Sequence, residues 1–130
     1  MIRANKIWSH SVKLLVLLVL LACIPCSAAD QFVDPCYQVR GRLSVWNGTP
    51  TLRIWVVGTQ RILGIPSEET DFPLKYSKLP ANVERLLIGN GTNIFADFDV
   101  CPLTKERPGT MRMVFVRSAS HVVDRSDPSN

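Results

Sequence analysis

The sequence predicts a mainly β fold: a small five-stranded antiparallel barrel with one short helix between the third and fourth strands. Three observations carry this expectation. Asn47-Gly48 joins two runs of alternating apolar and polar residues, a strong short-range hairpin signal because a tight turn there needs positive φ. Three further β-type runs follow, separated by segments rich in proline, glycine and charge. Finally, pairing Cys36 with Cys101 brings two distant runs into a register that sorts their side chains by polarity. A small β-sandwich is the alternative, since its strands would alternate in the same way.

The chain opens with Arg3, Lys6 and Lys13 around the start of an apolar run, Leu14 to Ile24. Ser27 and Ala29 then stand at −3 and −1 of a cut before Asp30, so residues 1–29 are expected to be a cleaved secretory signal peptide. The apolar run is short for a span, which needs about 20 residues. "LLAC" (residues 20–23) looks like a bacterial lipobox, and lipid attachment at Cys23 is the alternative. Cutting before Asp30 leaves two cysteines, an even number suited to one bridge in an oxidising compartment. Cutting before Cys23 would strand Cys26. The expected location is therefore periplasmic or secreted, with a membrane-tethered lipoprotein as the alternative. Contact with a membrane requires a lipid on Cys23 or an uncleaved leader.

Removing the leader changes the charge. The whole chain has 15 Lys+Arg against 11 Asp+Glu, net +4; three of the basic residues and none of the acids precede Asp30, leaving 12 against 11, or +1. Net charge thus lends a nucleic-acid partner little support, and none is expected. Residues 30–123 form a single β domain, and 124–130 ("DRSDPSN") a polar tail.

The first hairpin lies in "CYQVRGRLSVWNGTPTLRIWVVG", residues 36–58. A two-residue turn at Asn47-Gly48 sets Leu43 opposite Leu52, Gly41 opposite Ile54 and Val39 opposite Val56. The other face then carries Arg40 against Trp55 and Arg42 against Arg53. Pro50 is the residue that could lengthen this loop. A third strand is expected at Gln60–Ile65, a helix at Pro80–Leu87 with proline in its first turn, a fourth strand at Ile94–Cys101 and a fifth at Met111–Ala119.

If Cys36 and Cys101 are bridged and their strands run antiparallel, opposed residue numbers sum to 137. Gln38 then meets Asp99 and Arg40 meets Asp97 on one face. Tyr37 meets Val100, Val39 meets Phe98, Gly41 meets Ala96 and Leu43 meets Ile94 on the other. Opposite charges meet outside and apolar pairs inside, as cross-strand energetics favour. The strand order becomes 3-2-1-4-5, a connectivity that resembles the OB-fold. Gly41 provides for a sharp mid-strand bend.

The candidate binding face is Arg40, Arg42, Arg53 and Trp55, with Trp46 near the turn. A guanidinium beside an indole holds an anion or stacks on a ring. The competing reading is a solvated face with Arg40 paired to Asp97. Asp97 and Asp99 share a strand face and define the alternative of a small hydrolase with paired carboxylates, though strand-surface pairs of this kind are common. His121 is the single histidine after Asp30, so no two-histidine zinc site is available, and it is expected at the end of the last strand. No cofactor, metal or nucleotide motif is present. Asn47-Gly-Thr and Asn90-Gly-Thr match the glycosylation sequon and also read as turns.

"GRLSVWNGTPTLRIWVVGTQRILGI" (41–65) and "FADFDVCPLT" (95–104) make the chain similar to small exported bacterial proteins of unknown function. That resemblance brings no catalytic residues. The expectation is a non-enzymatic, exported, disulfide-stapled domain whose partner is an unknown protein or a small anionic or aromatic ligand of the envelope. A lipid-anchored structural protein of the envelope is a further alternative.

Overall fold

The computed structural model describes residues 32–89 and 92–126, together with Val12 and Leu15. The expected signal peptide, Cys23 and its lipid, the Asn90 sequon and residues 127–130 lie outside the described residues. Contacts divide the chain into Met1–Asp30 and Gln31–Asn130.

The second unit is a closed five-stranded barrel. Its elements are β1 (Tyr37–Val45), β2 (Leu52–Val56), β3 (Ile62–Gly64), a 3₁₀ turn (Leu74–Ser77), α1 (Ala81–Ile88), β4 (Ile94–Pro102) and β5 (Arg112–Asp124). The strands run β1-β2-β3-β5-β4 around the barrel, which is the 3-2-1-4-5 order closed on itself. Order, helix position and closure are those of an OB-like barrel, not a sandwich. Four seams are antiparallel. The closing seam, β3 with β5, is parallel and only two residue pairs long, a correction to the all-antiparallel expectation.

The β1–β4 ladder follows the 137 rule from Tyr37↔Val100 to Leu43↔Ile94. Cys36 and Cys101 are bridged at its end, with Cα atoms 4.1 Å apart. The alternation in both strands is clean and one face is buried, so a slip of one residue would turn Phe98 and Leu43 out to water.

The first hairpin differs from expectation by two residues. Leu43 lies opposite Ile54 and Gly41 opposite Val56; Arg42 faces Trp55 and Ser44 faces Arg53. The Trp46 amide donates to the Thr51 carbonyl at 2.8 Å, which encloses a four-residue loop, Asn47 to Pro50. The cause is Pro50. It is buried against Gly64, Met111 and Met113, so the loop folds over β3 instead of turning tightly at Asn47-Gly48. A shift of two preserves which face is buried and changes only which residues are neighbours.

β3 is shorter than the expected Gln60–Ile65, because Gln60 and Arg61 belong to the turn after β2, where Gly58 takes φ +78°. β5 runs five residues beyond Ala119, and Arg125 donates its amide to the Asn93 carbonyl. Two bulges break its alternation: Arg117 is extra between Ser118↔Asp99 and Val116↔Val100, and His121 and Val122 share the space opposite Ala96. Bulges reset the period of two and so hide a strand's faces in the sequence. His121, at φ +49°, therefore sits in a bulge within β5 and not at its end.

Leu43, Ile54, Leu63, Ile94, Phe98, Val100, Val114 and Val116 fill the barrel. α1 closes one end with Val83 fully buried, and Asn82 donates to the Ala119 carbonyl at 2.8 Å. Phe32, Tyr76 and Phe115 pack together on the outside, with ring centres 5.7–6.1 Å apart, and tie the segment before β1 and the 3₁₀ turn to β5.

Candidate functional site: the outer face of strands β1, β2 and β3

Side chains that alternate with the core residues of β1 and β2 point outward, and the two-residue loop extension decides which of them meet. Arg42 and Trp55 are directly opposed, with the guanidinium carbon 5.2 Å from the indole centre. One step along the hairpin, Arg53 stands over Trp46 at 5.5 Å. Trp55 is oriented by its own N–H, which donates to the Thr59 carbonyl at 2.7 Å. Arg53 is oriented by Nε, which donates to the Pro50 carbonyl at 2.9 Å. Trp46 remains 40% exposed. A cavity of about 180 Å³ lies among Arg42, Trp46, Trp55 and Ile62.

Four of the five expected residues are thus brought together. Arg40 is not among them. Its guanidinium is 3.5 Å from Asp97 and donates at 3.0 Å to the His121 carbonyl, one row further along the barrel. His121 Nδ1 also lies 2.8 Å from Asp97. Asp99 lies opposite Gln38 as expected, and its carboxylate is held by Arg117 at 2.7 Å.

The ion pairs separate the strand arginines into two groups. Arg40, Arg112 and Arg117 each have a carboxylate: Asp97, Asp34 and Asp99 respectively. Arg42 and Arg53 have none among the described residues, although they are diagonal neighbours of like charge. Arg42 Nε is in addition buried without a hydrogen-bond partner among the described residues. Like charges at such spacing destabilise a sheet, and an unmet buried donor costs about 1–3 kcal/mol.

The face extends further than the sequence reading placed it. Val123 pairs with Phe95, Phe95 with Arg42, Arg42 with Trp55 and Trp55 with Ile62. These five outward residues form one row across all five strands, at about 4.8 Å per strand. Arg125 covers the Phe95 ring at 5.6 Å. Phe95 opposite Arg42 follows from the 137 rule; Ile62 needed the β2–β3 register, for which the sequence carries no marker.

A second cavity, about 360 Å³, lies between the β2–β3 turn and the β4–β5 loop; Ile62, Arg61, Glu106, Arg107 and Arg112 line it. Ile62 is common to both cavities. Among the described residues no cluster of His, Cys, Asp and Glu could hold a metal ion, and no helix is long and apolar enough to cross a membrane.

No family model, curated protein or solved structure matches the chain.

Proposed function

We propose that the chain is an exported binding domain without catalytic activity, working in the cell envelope or outside the cell. Its outer face at Arg42, Trp46, Arg53 and Trp55 takes a ligand that joins an anionic group to a flat apolar one. One observation carries the reading: two strand arginines are stacked on tryptophans and left without carboxylates among the described residues, while the other three strand arginines are neutralised. An anion placed between Arg42 and Arg53 offsets their like charge and gives each guanidinium the counter-ion it lacks among the described residues. The Cys36–Cys101 bridge supports an oxidising compartment, as does the leader-like start of the sequence. Asp97 and Asp99, engaged by Arg40, His121 and Arg117, serve the surface of the barrel better than a hydrolytic site.

A thermal-shift screen of aromatic and sugar carboxylates, sulfates and phosphates tests this. The native chain is expected to melt higher with at least one such anion, and the Arg42→Gln/Arg53→Gln variant to show no response. If the variant responds as the native chain does, the anion binds elsewhere and the assignment fails.

A further inference from the structure

We propose that the cavity between the β2–β3 turn and the β4–β5 loop is a second carboxylate subsite, closed in this structure by the protein's own Glu106. The ligand that spans both cavities is a linear acidic oligosaccharide. This rests on the binding role of the Arg42–Trp55 face and adds a second contact, a ligand class and an internal competitor.

Glu106 stands in for the ligand. Its carboxylate pairs with Arg61 through Oε1, and Arg112 Nη1 lies 3.9 Å from Oε2. Yet Glu106 is 59% exposed and sits on a loop with Pro108 and Gly109, so little packing holds it there. The arginines have firmer support. Arg112 is only 10% exposed, donates through Nε to the Thr104 carbonyl at 3.0 Å, and pairs with Asp34, which Lys105 holds at 3.0 Å. Arg107 lines the same cavity without a carboxylate partner among the described residues. The result is a well-supported guanidinium already shared with Asp34, a second guanidinium at Arg61 across the gap and a weakly held carboxylate between them. An incoming carboxylate takes the place of the Glu106 carboxylate between Arg61 and Arg112.

The spacing of the subsites sets the ligand's shape. Arg42 and Ile62 are two strands apart, about 10 Å, and the second cavity begins at Ile62. Between the two anion positions stand the outward side chains of Trp55 and Ile62. Two carboxylates separated by rings with apolar faces describe a chain of uronate-type sugars. An extended acidic peptide would seek main-chain hydrogen bonds along a free strand edge, whereas this face offers side chains on a closed barrel. A single-stranded nucleic acid would need a denser cationic track than the arginines here, interrupted by Glu106, provide.

Isothermal titration of the full chain with a galacturonate tetramer and with the galacturonate monomer tests the proposal. Glu106→Gln is expected to bind the tetramer about fivefold to tenfold more tightly, and Arg61→Gln about tenfold more weakly, the scale of one charge-assisted pair. The monomer reads the subsites singly: Glu106→Gln is expected to add a second, weaker binding event to the one at Arg42–Trp55, and Arg61→Gln to leave that one alone. Circular dichroism melting confirms that the variants fold. Unchanged tetramer affinity in both variants overturns the second subsite while leaving the first reading intact. Unchanged tetramer affinity in Arg42→Gln/Trp55→Ala overturns the first reading itself. Tighter binding of a single-stranded oligonucleotide than of the tetramer, or no binding of the tetramer even by Glu106→Gln, overturns the ligand class.

Discussion

Arg42 and Trp55 face each other across the β1–β2 ladder with guanidinium carbon and indole centre 5.2 Å apart, and Arg42 has no carboxylate among the described residues. A cation on an exposed ring is worth about 0.5–1 kcal/mol, which does not outweigh an unmet donor and a like-charged neighbour. Arg42→Met, which keeps much of the packing, is therefore expected to leave stability unchanged or raise it by up to about 1 kcal/mol. Arg112→Met leaves Asp34 with Lys105 alone and removes the bond to the Thr104 carbonyl, and is expected to cost about 2 kcal/mol, discounted because Asp34 is partly exposed. Urea denaturation of the two variants side by side checks the contrast. Equal losses would mean that Arg42 serves the fold and not a ligand.

The Cys36–Cys101 bridge closes a loop with a sequence separation of 65. The loop-entropy estimate for that length is about 4 kcal/mol. The Cys36→Ser/Cys101→Ser variant should lose this amount in denaturation measured without reductant. Adding reductant should lower the native protein to the same midpoint and leave the variant where it is.

Gly41 leaves no room for a side chain. A Cβ there would stand 2.4 Å from Ile54 Cγ2 and 3.3 Å from Phe98 Cδ2, both inside the barrel. Ile54 is branched and fully buried, so it cannot swing aside. Gly41→Val is expected to cost about 1–3 kcal/mol, read as a lower urea midpoint with an unchanged slope. A variant as stable as the native chain would mean that Ile54 and Phe98 do not crowd this position.

Asp124 and Ser126 clasp the end of β5 to the start of β4. Asp124 accepts from the Ser126 hydroxyl at 2.5 Å and the Ser126 amide at 2.9 Å, while the Ser126 oxygen accepts the Thr92 and Asn93 amides. These bonds favour the charged carboxylate and hold Asp124 below its ordinary value of 3.8, the side-chain bond contributing most. A carboxyl whose folded value is depressed adds stability at pH above its unfolded value, and that contribution is lost as pH falls through the folded one. NMR titration should place Asp124 below 3.8 in the native chain and closer to it in Ser126→Ala. Coincident titrations would remove Ser126 as the cause.

Much of the barrel is readable in the chain because β1 and β4 alternate without interruption and carry the two cysteines that align them. One sum then orders seven residue pairs. The first hairpin is less legible: Asn47-Gly48 signals a tight turn, and only the burial of Pro50 against Met111 and Met113, distant in sequence, prevents it. The far half of β5 is obscured by its bulges at Arg117 and His121. The site suffers from the same two-residue shift. Aligned as a tight hairpin, Arg42 meets Arg53 and Arg40 meets Trp55; in the folded chain Arg42 meets Trp55, and Arg40 belongs to Asp97. Arg61 and Glu106 are 45 positions apart and carry no mark of their meeting.

β3 meets β5 through only Leu63↔Arg112 and Gly64↔Met113, the shortest seam of the barrel, beside the three-pair seam of β3 with β2. Brief, reversible unzipping should begin there, and amide hydrogen exchange should be fastest along it. The Arg42–Trp55 pair lies on the five-pair seam between β1 and β2 and stays assembled while this happens. The cavity beyond Ile62 does not, since its two walls belong to opposite lips of the opening. A ligand lying across both cavities acts as a suture on the short seam, slowing exchange at Leu63 and Gly64 far more than at the amides between β1 and β4.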